Sequence, residues 1–496
     1  MVRVPPPRPR GTLQAMTIPR LQRVARTVPG APEGGVPSVA PISAADRAVQ
    51  ARLSPAAVRL LDHVASHPRL LERRTFAPVV ARMRRVLPRL VGARAADYPM
   101  QPWPALFSAE RWGELERAAV GLDRLFRAIP DRFFAGDPQA LADFYDLGDA
   151  GMAELLLTEP SGLAETICRG DFVDTPEGLR CLEWNAGNLG AWQNLALSPL
   201  LLVGEELAPF FAALGGELRW IDAPRRLLRH TVACCLARPG LIDRELNVLV
   251  VAGAPPSDPA THPQESYRQS FREVLAELAP RLDGDIRVAT PAEVDSWSGP
   301  LRVGGRRFHA VIEQNDAVNP PDLYRAFKSG ELMLMTGPAS LILGDKRNLA
   351  LLFADADSPR FNAAERALIE AHVPWTRLLC PGAAVWRGRE VDLVRTVRAG
   401  RAELVLKKGL SVGGREVVVG PAVDDAAWQA AVYAALAEGG WIVQDLVDLL
   451  PYVFQTGEAG WAPHRVIWGM FVFGDEPAGM LVRMAARHCG SVVNVI

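Results

Sequence analysis

Between Arg169 and Gly187, apolar and polar residues alternate on both sides of a Thr175-Pro176-Glu177-Gly178 turn. This period-two pattern predicts two strands joined as a hairpin. Phe172, Leu182 and Trp184 are expected to face a core, leaving Arg169, Asp171, Glu183 and Asn185 on the other face. A five-residue loop from Thr175 to Leu179 sets Asp171 across from Glu183 and Arg169 across from Asn185. Upstream, apolar residues recur at helical spacing from Ala44 to Leu90 and from Ser108 to Ile129, with Ser108 placed as an N-cap. Downstream, a buried strand from Leu246 to Ala252, a helix from Gln264 to Leu278, and strands at Ile286–Ala289 and Ala310–Glu313 alternate as a parallel α/β unit does. The loop after its first strand lacks the dinucleotide glycine pattern.

The remaining chain reads helix, strand, Gly337-Pro338 break and helix from Leu323 to Phe353, then two β-rich runs around a glycine-containing loop from Glu403 to Gly420. An amphipathic helix from Asp424 to Leu436 precedes a strand at Trp441–Asp445. Strands at Val466–Phe473 and Met480–Arg483 flank a turn, and Ser491 and Asn494 lie on what reads as a further strand. Residues 1–43 show no sustained periodicity and are expected to be disordered.

At 496 residues the chain exceeds one ordinary core, so two or three lobes are expected. A net charge of -1 provides no global field toward nucleic acid or a membrane. The most apolar stretch, Leu195 to Leu214, carries Gly204, Glu205, Glu206 and Pro209, which a bilayer span does not place centrally. The N-terminus has no apolar signal region. Its basic, acid-poor first 30 residues resemble an organelle transit peptide, or else the true start is Met16. Six cysteines without metal-type spacing, two of them the vicinal Cys234 and Cys235, fit a reduced, cytoplasmic protein.

One composition detail changes the picture. Lysine occurs only at Lys328, Lys346, Lys407 and Lys408, while arginine supplies the rest of 55 basic residues. Such a chain keeps lysine where a compact ammonium is needed. Lys346 opens a helix beside Asp345 and Asn348, a place suited to phosphate. Lys407 ends a strand before a loop in which Ser411, Gly413 and Gly414 allow backbone amides to close on phosphate oxygens. Gln444 and Asp445 end a strand suited to an adenine edge, with Arg483 in the same lobe. Asp171 and Glu183 as a facing carboxylate pair call for a cation between them, which fits a Mg²⁺–nucleotide site with Arg169 toward the transferred phosphoryl group. The same pattern fits a solvated hairpin face with ordinary ion pairs.

Together these residues resemble the circularly permuted ATP-grasp enzymes typified by glutathionylspermidine synthetase, over most of the chain after about residue 70. The order matches a permuted arrangement, the carboxylate hairpin preceding the lysines. The resemblance implies an ATP-grasp α/β (α+β) fold with N-terminal helices. Residues 44–240 would hold the helices and metal hairpin, 241–330 a Rossmann-like pre-ATP-grasp unit, and 331–496 the ATP-binding lobe. It implies ligation of a small-molecule or peptide carboxylate to an amine through an acyl phosphate, releasing ADP. Asp171, Glu183 and Asn185 are then the Mg²⁺ ligands, and Arg169 and Arg483 the catalytic arginines. Lys346, Lys407, Ser411, Gly413 and Gly414 hold the ATP phosphates, and Gln444 with Asp445 the adenine. Lys408 stands where the family usually has proline, Asp445 where it has glutamate, and residues 186–193 differ from the typified enzyme. A nucleotide-binding scaffold that has lost ligation is the alternative. Phosphohistidine transfer lacks support, because His309, His372, His464 and His488 share no motif.

Overall fold

The computed structural model describes residues 42–66, 101, 103–148, 150–157, 165–187, 208–214, 218–252, 264–297, 300–314, 321–335, 337–354, 356–411, 416–456 and 460–486. The expected disorder of residues 1–41 and the strand near Ser491 lie outside that set, as does the loop at 253–259. The helical pattern from Ala44 resolves into two helices, α1 (Ala44–Gln50) and α2 (Pro55–Ala65), with its remainder beyond residue 66 also outside it. Each starts at a serine cap. Ser43 forms a reciprocal capping box with Asp46, and Ser54 accepts from Ala57 N–H. Helix α3 (Ala109–Arg127) opens at Ser108, whose side chain accepts from Arg111 N–H, and buries Leu115, Ala118, Ala119, Leu122, Leu125 and Phe126 at helical spacing.

The predicted hairpin follows as β1 (Ile167–Thr175) and β2 (Gly178–Ala186). Asp171 pairs with Glu183 and Arg169 with Asn185, but the turn reaches this register differently from expectation. Thr175 pairs with Gly178 across a tight turn, and the register shifts at Asp171/Phe172, with Phe172 opposite Cys181. Leu182 is thus the extra residue of a β-bulge and only partly buried, rather than a regular core position. The site face is not solvated either, since Asp171 is 1% exposed.

The parallel unit contains β3 (Glu245–Ala252), α4 (Gln264–Leu278), β4 (Asp283–Ala289), β5 (Ala310–Gln314) and β6 (Met333–Leu334), ordered β4-β3-β5-β6 with every pairing parallel. Helix α5 (Arg347–Ala354) follows Lys346. A small antiparallel sheet then assembles β7 (Thr376–Leu378), β8 (Leu404–Lys408), β9 (Val417–Val419) and β10 (Trp441–Asp445) in the order β9-β8-β10-β7. Helix α6 (Asp425–Glu438) buries Trp428, Val432 and Ala435 against it. This sheet has its own core, including Trp375, Val397, Leu404, Leu406 and Val443.

The last strands, β11 (Tyr452–Thr456), β12 (Gly460–Phe473) and β13 (Glu476–Ala486), return to the hairpin. β12 lies between β11 and β1, with β13 also paired to β12. The sheets therefore divide residues 331–496 between two cores, and Arg483 belongs with the hairpin, not with the lysines as expected. No helix among the described residues is long and apolar enough to cross a membrane.

Candidate functional site

On the hairpin side Asp171 is the hub. Arg169 donates from Nε to Oδ1 at 2.8 Å and from Nη2 to Oδ2 at 3.2 Å, and Asn185 Nδ2 donates to Oδ2 at 3.0 Å. Arg483 completes the group as an ion pair from β13. Burial raises the Asp171 carboxyl, but the Arg169 and Arg483 guanidiniums more than offset this and hold it well below the usual carboxylate range. The close packing requires Gly469, the β12 partner of Asp171, because a Cβ there would lie 2.9 Å from Arg169 Cδ and 3.2 Å from Asp171 Oδ1.

The other sheet supplies the lysines. Lys407 at the end of β8 is 7% exposed and donates from Nζ to Leu182 O at 3.0 Å and to Gln444 Oε1 at 2.8 Å. The bulged residue of β2 thus provides the carbonyl that ties the two sheets together across more than two hundred residues of sequence. Burial pushes the Lys407 ammonium down to about 8, with Glu183 opposing and Lys346 adding to the shift. Lys346 Nζ donates to Ser411 O at 2.8 Å and lies 3.8 Å from Glu183. Its backbone N–H bonds Gly409 O at 3.0 Å, next to the Lys407 strand. Beneath it, Asp345 pairs with Arg347, which also reaches Asp146 at 2.7 Å and Phe144 O at 2.6 Å. Gly409 is the contact point, since a Cβ there would meet Asp345 Oδ1 at 2.6 Å and Arg347 Nε at 2.8 Å.

The structure therefore brings Arg169, Asp171, Glu183, Asn185, Lys346, Lys407, Ser411 and Arg483 together, whereas Gly413 and Gly414 lie outside the described residues. The Gln444 side chain is fully buried between Lys407 and Thr376, and Asp445 accepts from Trp386 Nε1 at 2.9 Å. Their strand is paired on both sides, with β8 and with β7. Lys408 pairs with Glu416 and Glu438. Sequence reading missed Leu182 O, Thr376, Arg347 and Gly469. The Asp345-Lys346-Arg347 run was the one available signal for Arg347. Nothing local marks the other three.

Around Asp171 and Glu183, four cations (Arg169, Arg483, Lys346 and Lys407) face two carboxylates, an excess of two positive charges among the described residues. A buried excess of that kind matches a polyanion. For Mg²⁺ the donor chemistry fits in part. Among the described residues no group of three His, Cys, Asp or Glu is arranged for a metal, but Mg²⁺ commonly takes one or two carboxylates and completes its shell with substrate phosphates. Glu183, with 28% of its side chain exposed, and its neighbour Asn185 suit that role. Asp171 as arranged has both oxygens committed to N–H donors, so it serves first to orient the arginines.

No protein-family model and no curated protein matches the chain. Solved structures do. A glutathione synthetase-like effector from Globodera pallida, determined in apo form, superposes with a TM-score of 0.53 at 12% identity, covering 85% of this chain and 95% of that one. The class thereby defined is a mixed α/β protein with a glutathione synthetase-like fold. At that identity the likeness extends to the fold alone.

Proposed function

We propose that the chain is an ATP-dependent, ADP-forming carboxylate–amine ligase of ATP-grasp type, using Mg²⁺. The observation that carries this reading is the meeting of two separately built sheets at one buried cluster with excess positive charge, its lysines from one side and its arginines from the other. The glutathione synthetase-like fold supports it. A carboxylate oxygen of one substrate attacks the γ-phosphorus, and ADP leaves with the bonding electrons. The amine nitrogen of the other substrate then attacks the acyl carbon, phosphate departs, and the amine loses a proton.

Lys346 and Lys407 hold phosphate oxygens, while Arg169 and Arg483, kept in place by Asp171, offset negative charge that accumulates on the transferring group. Positioning and electrostatics supply most of the rate in such transfers. When bound, Mg²⁺ would be held by Glu183 and Asn185 together with phosphate oxygens and would neutralise charge there.

The test is ADP and phosphate release with pools of amino acids, short peptides and polyamines. Amine- and acid-dependent ADP release with no AMP is expected. Tight nucleotide binding with no turnover on any pool would favour a scaffold, and the absence of nucleotide binding would remove both readings.

A further inference from the structure

Gln444 pairs with Val405 on β8, two residues before Lys407, and with Thr376 on β7. Both polar ends of its buried side chain are engaged. Oε1 accepts from Lys407 Nζ at 2.8 Å, and Nε2 donates to Thr376 Oγ1 at 3.0 Å. The Thr376 hydroxyl in turn donates to Pro374 O at 2.9 Å. That last bond sets the direction of the chain. A hydroxyl whose proton is committed to a carbonyl only accepts, so the Gln444 amide must turn its N–H toward Thr376 and its oxygen toward the ammonium. Lys407 then has one N–H on Leu182 O, one on Gln444 Oε1, and a third left over. With two of its three directions fixed by buried acceptors on different strands, the third is fixed as well.

We propose that Gln444, oriented by Thr376, is a positioning residue that aims Lys407 at the transferred phosphate, rather than a reader of the nucleotide base. The phosphate part of this statement rests on the ligase reading above, whereas the aiming of Lys407 does not. The ionisable groups facing Lys407 are Glu183, Asp171 and Cys181 from the hairpin and Lys346 from the segment before α5. No ionisable group besides Lys407 takes part in the hydrogen-bond chain from Lys407 through Gln444 and Thr376 to Pro374 O. Replacing Gln444 therefore changes the ammonium through one bond and leaves those neighbours in place.

Two measurements on the full chain test it. The chain has four lysines, so labelling with ¹³Cε-lysine gives four signals, and Lys407 is assigned by its loss in Lys407→Arg. In Gln444→Met, of similar shape but with no acceptor, the Lys407 titration midpoint should fall by roughly one pH unit. In Gln444→Glu it should rise, and in Thr376→Val it should fall less than in Gln444→Met. Calorimetry with ATP and inosine triphosphate should show Gln444→Met losing roughly 10-fold in affinity for both alike. An unmoved Lys407 midpoint in both Gln444 variants would overturn the proposal, as would a loss confined to ATP. Should Gln444→Met not fold, the Gln444→Glu midpoint decides alone. Should the folded wild type bind neither nucleotide, the ligase reading and the phosphate target fail, while the midpoints still decide whether Gln444 positions Lys407.

Discussion

Asp171 and Asp174 stand three residues apart on β1, both buried and both paired with arginine, and the contrast between them separates a closed ion-pair group from an open one. Asp174 receives the Arg111 guanidinium from α3, the Tyr452 hydroxyl at 2.6 Å from β11 and the Trp468 indole N–H at 2.9 Å from β12. Its backbone oxygen accepts from Leu450 N–H at 2.8 Å. Arg111 has Glu114 as a second carboxylate partner, so no cation is in excess there. The group is closed, joining helix to sheet. At Asp171 two arginines and the Asn185 amide share one carboxylate, and the cluster continues through Glu183 to two lysines. Burial alone therefore says little about function. What distinguishes the two is positive charge left over once the local pairs are counted.

The largest difference should appear on removing the closed pair. Asp174→Asn leaves Arg111 buried beside a neutral amide and should cost about 3–5 kcal/mol in denaturant unfolding, with nucleotide affinity of the folded protein unchanged. Glu183→Gln should do the reverse. Turnover is expected to fall about 10²–10³-fold, partly restored by excess Mg²⁺, while the loss of a 3.8 Å, part-exposed pair should cost about 0–1 kcal/mol of stability. Full activity with an ordinary Mg²⁺ response would remove Glu183 from the site.

Lys407→Met should weaken ATP binding by about 10–100-fold. Its effect on folding runs opposite to that of an ordinary surface lysine, because Lys407 is buried and its ammonium titrates near 8 against a usual 10.5. Between those values the unfolded chain binds the proton more tightly, so this group's contribution makes stability rise with pH across that window. Affinity for a phosphate anion should instead fall as pH passes about 8. Melting of Lys407→Met at pH 7 should therefore be no lower than wild type, and a nucleotide titration of the wild type from pH 7 to 9 should show the falling limb. The smallest effect belongs to the neighbouring lysine. Lys408→Ala breaks part-exposed pairs with Glu416 and Glu438, so stability should change by about 0–1 kcal/mol and nucleotide affinity hardly at all.

Much of this arrangement was legible in the sequence, because strand alternation and charge pairing are local signals. Arg169, Asp171, Glu183 and Asn185 fall into register from the hairpin pattern, and the helix at Gln264–Leu278 and strand at Trp441–Asp445 match their predicted limits. The scarcity of lysine pointed to Lys346 and Lys407. What escaped depends on tertiary geometry. The bulge at Leu182 turns a carbonyl toward Lys407, and alternation treats that leucine as one more core residue. The separation of β11, β12 and β13 from the lysine-bearing sheet follows from β12 lying against β1, a pairing between segments about 300 residues apart. Gln444 reads as half of a hydrogen-bonding pair at a strand end, and only the fold shows Thr376 and Lys407 on either side of it.

The most direct test is a calorimetric titration of a non-hydrolysable ATP analogue into the full chain with Mg²⁺, repeated without the ion and with Lys407→Met. One saturable site per chain is expected, weaker without Mg²⁺ and weaker by about 10–100-fold in the variant. A folded wild type that takes up no nucleotide, or a Lys407→Met variant that binds it as tightly, would contradict the assignment of the charged cluster between the two sheets as a triphosphate site.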